Sequence, residues 1–299
     1  MKQNVSIAVI GSKASEFCSK AGKKGGESDY RLWHSSFNDK VLTFCEPHRW
    51  PEKLAPLAYA LNLSQHVVIA EDEAGPAFGE ALVAIDALEK KSGCFATECG
   101  LEQYAEGTSA QSFEAKPFEE ALKWARERSS EPVQGETKVV ADSSFNVKGV
   151  GQVLLGFVER GTVRVHDELT AHPSNAKITV RSIQVQDEDV KEAPCYSRVG
   201  LCFKGASVEE ITRGQVLSTA PVPTTTKAEL SVKKSRLARE LPEHCHAFIG
   251  LQNAACKVEW GETARVTFEE PVAFDSEKML LCDLNRALPR VIAAGKTIK

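Results

Sequence analysis

Along the first third of the chain, short apolar runs alternate with stretches whose apolar residues recur every three to four positions. Val5 to Ile10, Val41 to Phe44, Val67 to Ala70 and Cys94 to Ala96 have the length and composition of buried strands. Between them, Pro51 to Leu61 and Ala77 to Lys91 carry helical spacing. Pro117, at a first-turn position, opens a further helix over Phe118 to Arg128 with Leu122, Trp124 and Ala125. Strand and helix in alternation predict an α/β domain with a mainly parallel sheet. Ser129-Ser130-Glu131-Pro132, followed by Gln134-Gly135-Glu136, reads as a linker.

Beyond Lys138 the helical period disappears. Short alternating strands such as Val153-Leu154-Leu155, Val163-Arg164-Val165 and Ile178-Thr179-Val180 are punctuated by glycines at 149, 151, 156, 161, 200, 205 and 214, which predicts a small β-barrel. Ala220-Pro221-Val222-Pro223 and three threonines from Thr224 form a stiff, extended second linker. The remainder, with Ala228 to Val232, Ala247 to Leu251, Ala264 to Phe268 and Met279 to Cys282, predicts another barrel. The expected architecture is multi-domain: an α/β domain over 1–131 and small β-barrels over 136–220 and 224–299.

Composition agrees with that division and removes other classes. A chain of 299 residues exceeds one ordinary domain of about 100–200 residues, and 42% hydrophobic with 26% charged residues excludes collagen-like, coiled-coil and disordered chains. No apolar run approaches the ~20 residues that span a bilayer, and the start of the chain lacks a secretory pattern, so the expectation is a cytoplasmic protein with no membrane partner. Net charge is 37 − 41 = −4, which is not the field of a non-specific DNA binder; no DNA is expected, and RNA contact has to be local. The nine cysteines, odd in number and scattered, read as reduced core thiols.

One stretch carries a specific pattern. Gly149-Val150-Gly151-Gln152-Val153 leads to Gly156-Phe157-Val158-Glu159-Arg160-Gly161-Thr162-Val163 and Val165-His166-Asp167-Glu168-Leu169. Arg198 to Gly205 and Ile211-Thr212-Arg213-Gly214-Gln215-Val216-Leu217 follow. This resembles the second domain of translational GTPases of the elongation factor Tu and SelB type. The resemblance implies a P-loop-GTPase-like first domain, here degenerate. Ile7-Ala8-Val9-Ile10-Gly11 matches its first strand and glycine, but Glu16, Phe17 and Cys18 stand where G-x-x-x-x-G-K-[ST] needs glycine, lysine and a hydroxyl. Gly11, Ser12 and Lys13 are what is left of that nucleotide-binding motif. Lys13, Lys20, Lys23 and Lys24 with Gly22, Gly25 and Gly26 offer a basic patch that could hold an anion but is read chiefly as a solvated loop. The family's D-x-P-G-H is reduced to Cys45-Glu46-Pro47-His48, leaving His48 as a relic of the water-positioning histidine, and Thr97-Glu98-Cys99 replaces its base-reading N-K-x-D. Hydrolysis of GTP is expected to be weak or absent, with GTP and Mg²⁺ bound at most weakly and no other cofactor.

The third domain, through Leu281 to Arg286 and Arg290 to Lys296, is similar to the SelB ending, and the chain is expected to lack the additional C-terminal domain of SelB. The resemblance implies aminoacyl-tRNA, including an unusual one such as selenocysteinyl- or pyrrolysyl-tRNA, and the ribosome as partners. Gln184 would lie beneath the terminal adenosine, with Leu201 and Cys202 as its apolar wall; the alternative is an exposed barrel glutamine. Lys233, Lys234, Arg236 and Arg239 form the densest basic cluster, suited equally to phosphate contact or to solvation. His244, Cys245, His246 and Cys256 are not read as a zinc site, because adjacent strand residues face opposite ways. A protein-binding role without RNA, and an atypical GTPase using the 20–26 patch and His48, stand as the other readings.

Overall fold

The computed structural model describes residues 3–238, 240–275 and 277–298. In the first domain β1 (Gln3–Ile10), β4 (Lys40–Glu46), β5 (His66–Ile69), β6 (Gly93–Ala96) and β7 (Glu114–Lys116) run parallel, while β2 (Lys23–Glu27) and β3 (Arg31–Phe37) extend the sheet antiparallel beyond β4. Alternation along β1 divides the core. Val5, Ile7 and Val9 face α1 (Ala14–Ala21) and α4 (Phe118–Glu127), whereas Ala8 and Ile10 face α2 (Ala55–Leu63) and α3 (Pro76–Ala87). Helix α2 starts at Ala55 rather than Pro51, because Trp50 to Leu54 turn away to meet the third domain.

Six strands close the second domain into a barrel: Lys138–Val147, Gly151–Arg160, Arg198–Lys204, Lys177–Val185, Glu168–His172 and Val216–Ser218, the last pairing back on the first. Six more close the third, in the order Thr224–Lys234, Ala264–Ala273, Gln252–Trp260, His244–Ile249, Met279–Cys282 and Val291–Thr297. The fold is thus the expected α/β domain followed by two barrels. Inside the third, Cys245 faces its cross-strand partner Cys256 in the apolar interior, while His244 and His246 lie on the outer side. Among the described residues no helix is long and apolar enough to cross a membrane.

The three domains are welded. One apolar cluster runs from Tyr30, Tyr59 and Phe78 of the first domain through Phe157 of the second to Phe248, Leu280 and Val291 of the third. Arg213, from the glycine-punctuated barrel pattern, donates to Asp29 of the first domain at 2.9 Å and to Asp142 of its own at 3.0 Å. A second rivet is deeper: Glu80 of α3, with no exposed surface, accepts from Nε (3.0 Å) and Nη2 (2.6 Å) of Arg290 and from Trp50 Nε1 (2.9 Å). Arg290 Nη2 also reaches the Pro51 carbonyl at 2.9 Å. A buried carboxylate is tolerable only when it is matched this fully.

Candidate functional site

Between β1 and α1 only Gly11, Ser12 and Lys13 intervene. Glu16, Phe17 and Cys18 therefore fall inside the helix, and Phe17 and Cys18 are fully buried in the core. The loop that would wrap a phosphate is replaced by a tight turn drawn onto the end of β5. Gly11 sits at φ +122°, and a Cβ there would lie 2.3 Å from the Ala70 carbonyl oxygen. That same oxygen accepts from the Lys13 N–H at 3.0 Å.

The donors and charges left at this turn are already matched by the protein. Ser12 donates its N–H (3.0 Å) and its hydroxyl (2.5 Å) to the Glu71 carboxylate. Lys13 is paired with Asp72, which raises the lysine's pKa and lowers the aspartate's. Buried Glu46 accepts from the Ser15 hydroxyl, from Trp33 Nε1 at 2.8 Å and from Arg31 at 3.3 Å. The surrounding cavity, about 390 Å³, is lined by Glu46, Glu71, Arg31 and His48, so two carboxylates face one guanidinium. Burial and then Arg31 depress the His48 pKa, favouring the neutral ring; its Nε2 lies 3.6 Å from Glu27. A polyphosphate entering here meets negative charge where it requires donors.

Residues 20–26 do not form a solvated loop. Lys20 lies in the last turn of α1, and Lys23 to Glu27 make the exposed edge strand β2, one side of which pairs with β3. Gly22 is needed there because a Cβ would lie 2.6 Å from the His34 carbonyl oxygen. Lys20 and Lys24 pair with Glu16 and Glu27. Thr97 donates to Asp72 at 3.2 Å and accepts from the Cys99 N–H at 3.2 Å. Among the described residues no group of three or more His, Cys, Asp or Glu could hold a metal ion.

The barrel of the second domain presents a different surface. Leu201 points into the barrel interior and is fully buried, so it does not share a face with Gln184. On the outer face Gly200 is paired with Leu155 on one side and Gln184 on the other. A Cβ on Gly200 would find only Leu155 Cδ2 at 3.6 Å and Gln184 Cβ at 4.0 Å, so no packing constraint demands glycine here and the strand surface between Leu155 and Gln184 is left without a side chain. The adjoining row is Phe145, Val153, Cys202 and Ser182, with Phe145 41% exposed, an aromatic face open to the solvent. The Gln184 amide donates to Asp189 at 2.9 Å, which leaves its carbonyl oxygen as an acceptor. Leu155 and Phe145 escape a reading of motifs alone; the in–out alternation around Leu154 and Ser144 is the signal that would have found them.

Of the basic cluster, Lys233, Lys234 and Arg236 are all exposed, and Lys233 pairs with Asp86 of α3 at 2.9 Å. Arg239 lies outside the described residues.

A parallel-stranded domain with a strand-to-helix turn at the phosphate position, followed by two closed antiparallel barrels, is the build of a translational GTPase. The family model for elongation factor Tu domain 2 matches residues 151–218, and the chain belongs to the translational GTPases of the elongation factor Tu and SelB type. An uncharacterised protein of Methanocaldococcus jannaschii is 32% identical over 292 residues, covering 92% of this chain and 94% of its own length. The selenocysteine-specific elongation factor of the same organism is 38% identical over 81 residues, 27% of this chain and 17% of that protein. In structure, SelB from Methanococcus maripaludis in complex with the GTP analogue GppNHp has a TM-score of 0.85 at 18% identity, covering 100% of this chain and 79% of that one. A bacterial selenocysteine-specific factor, EF-Sec, has a TM-score of 0.81 at 16% identity, covering 99% and 58%.

Proposed function

We propose that this chain is an elongation-factor paralogue that holds the 3′ end of an aminoacyl-tRNA on the outer face of the barrel of its second domain, without a GTP-driven cycle. The observation that supports it most is the strand surface at Gly200. A position without a side chain, an apolar wall from Leu155, an amide at Gln184 and the exposed ring of Phe145 are the parts needed to seat an unstacked base. Stacking on such a ring is worth about 1–3 kcal/mol per base. The similarity to selenocysteine-specific factors favours a special aminoacyl-tRNA as cargo, delivered to the ribosome in the cytoplasm.

Nucleotide independence rests on the carboxylates of Glu46 and Glu71, which hold the serines and the arginine of the degenerate site. The test is protection of the aminoacyl ester in a native tRNA pool against hydrolysis, with and without GTP, followed by sequencing of the protected species. Protection of the same magnitude in both conditions supports the proposal. Protection that requires GTP refutes the nucleotide-independent half, and no protection at micromolar protein refutes the carrier role.

A further inference from the structure

One sizeable cavity lies outside both the phosphate position and the Gly200 surface of the second domain. It measures about 420 Å³ and opens between the first two turns of α3, the 104–108 loop and the 233–237 turn of the third domain. Its walls are apolar: Phe78, Leu82 and Val83 from α3, with Tyr104 and Leu237 at the mouth. Those two are 55% and 53% exposed, although large apolar side chains at a domain junction are ordinarily covered. Lys234 and Arg236 stand at the rim, with no ion pair or side-chain hydrogen bond recorded for either among the described residues, while Lys233 is held by Asp86.

Gly79 adds an independent observation. It occupies the interior of α3, where glycine costs roughly 1 kcal/mol of helix stability relative to alanine. Yet a Cβ at this position would meet nothing within 4 Å, and Gly75, one turn earlier, is equally open. No neighbour in the chain requires glycine at 79; what the missing side chain provides is space above the helix, inside the cavity.

We infer that this cleft is a binding site for a small amphiphilic anion, an apolar and preferably aromatic body that lies over Gly79 between Phe78, Leu82 and Tyr104, with one acidic group facing Lys234 and Arg236. Its size falls within the ~300–1,000 Å³ of small-molecule sites, and apolar walls with two converging cations match that chemistry. Glu106, also on the rim, disfavours a second negative charge and restricts the class to monoanions. Such a ligand bridges the first and third domains one residue away from Glu80, the buried partner of Arg290, so its occupancy bears on the junction that fixes their arrangement.

The probe is the anilinonaphthalene sulfonate dye ANS, an aromatic body with a single sulfonate, titrated by fluorescence onto the native full chain. The expected result is one saturable site per chain. Gly79→Leu, whose Cβ meets no neighbour within 4 Å and whose branched end fills the cavity, should weaken binding by at least about tenfold while leaving thermal stability unchanged or raised. The paired surface change Lys234→Gln with Arg236→Gln should weaken it about three- to tenfold and flatten its dependence on salt. Absence of a saturable site in the wild-type chain, or equal affinity in the wild type and Gly79→Leu, would overturn the assignment.

Discussion

Arg290→Met isolates the energetic role of the junction between the first and third domains. The substitution keeps much of the side-chain volume but removes the guanidinium that gives Glu80 its charged donors at 3.0 and 2.6 Å. Two neutral donors remain on that carboxylate, the Arg290 backbone N–H at 2.7 Å and Trp50 Nε1 at 2.9 Å. With Glu80 fully buried, the uncompensated charge should cost about 3–5 kcal/mol. The double variant Glu80→Gln with Arg290→Met removes the stranded charge and should recover more than half of that loss, because most of the single-variant penalty belongs to the unpaired carboxylate. Urea unfolding followed by tryptophan fluorescence and by circular dichroism measures both. The two signals should move together, since Trp50 sits at the junction and one apolar cluster joins all three domains. A loss under about 1 kcal/mol for Arg290→Met, or a double variant weaker than the single one, refutes the reasoning.

Millimolar GTP with Mg²⁺ should leave the melting temperature within about 1 °C, because a ligand present at many times its Kd stabilises the native state measurably; a clear upward shift would show that the turn at Gly11 accommodates phosphates. Gly200→Val should abolish aminoacyl-ester protection by covering the surface between Leu155 and Gln184, with little change in stability because a Cβ there meets nothing closer than 3.6 Å, and retained protection would place the 3′ end elsewhere. His66 is packed between Ser92 (2.7 Å) and the Ser129 carbonyl (3.0 Å), and burial lowers its pKa to about 4. The folded state thus binds its proton less readily than the unfolded chain. Stability is complete above pH ~6.5 and falls towards pH 4, by about 2–3 kcal/mol from this residue. His34, also lowered to about 4 by burial, acts in the same direction, so His66→Gln should reduce the acid slope of the urea midpoint without removing it; an unchanged slope would contradict the assignment.

The division into an α/β part and two barrels, the family, and several of the core elements were legible in the sequence, whereas the helix Ala14–Ala21 and the strands Lys23–Glu27, Arg31–Phe37 and Glu114–Lys116 were not. Period-two and period-3.6 patterns are local consequences of which face of an element meets the core, so the strands at Val5, Val41 and Cys94 and the helix at Phe118 were legible from spacing alone. The barrel glycines were legible because turns of positive φ restrict residue type, as at Gly161 and Gly205. The damage to the nucleotide motifs could likewise be read residue by residue. What replaced them could not. That Glu71 turns its carboxylate onto Ser12, and Glu46 onto Ser15, depends on strand ends that converge only when the parallel sheet assembles. Residues 23–27 have the composition of a loop, and only the partner strand Arg31–Phe37 makes them a strand. The family resemblance grouped Leu201 with Gln184 in one pocket, and the pleat sent them to opposite faces. The Glu80–Arg290 pair, 210 residues apart, carries no local signature. A buried charge is a property of the closed assembly, since each side chain taken alone looks like any exposed acid or base, and it was the tertiary structure that decided they would share one dry contact.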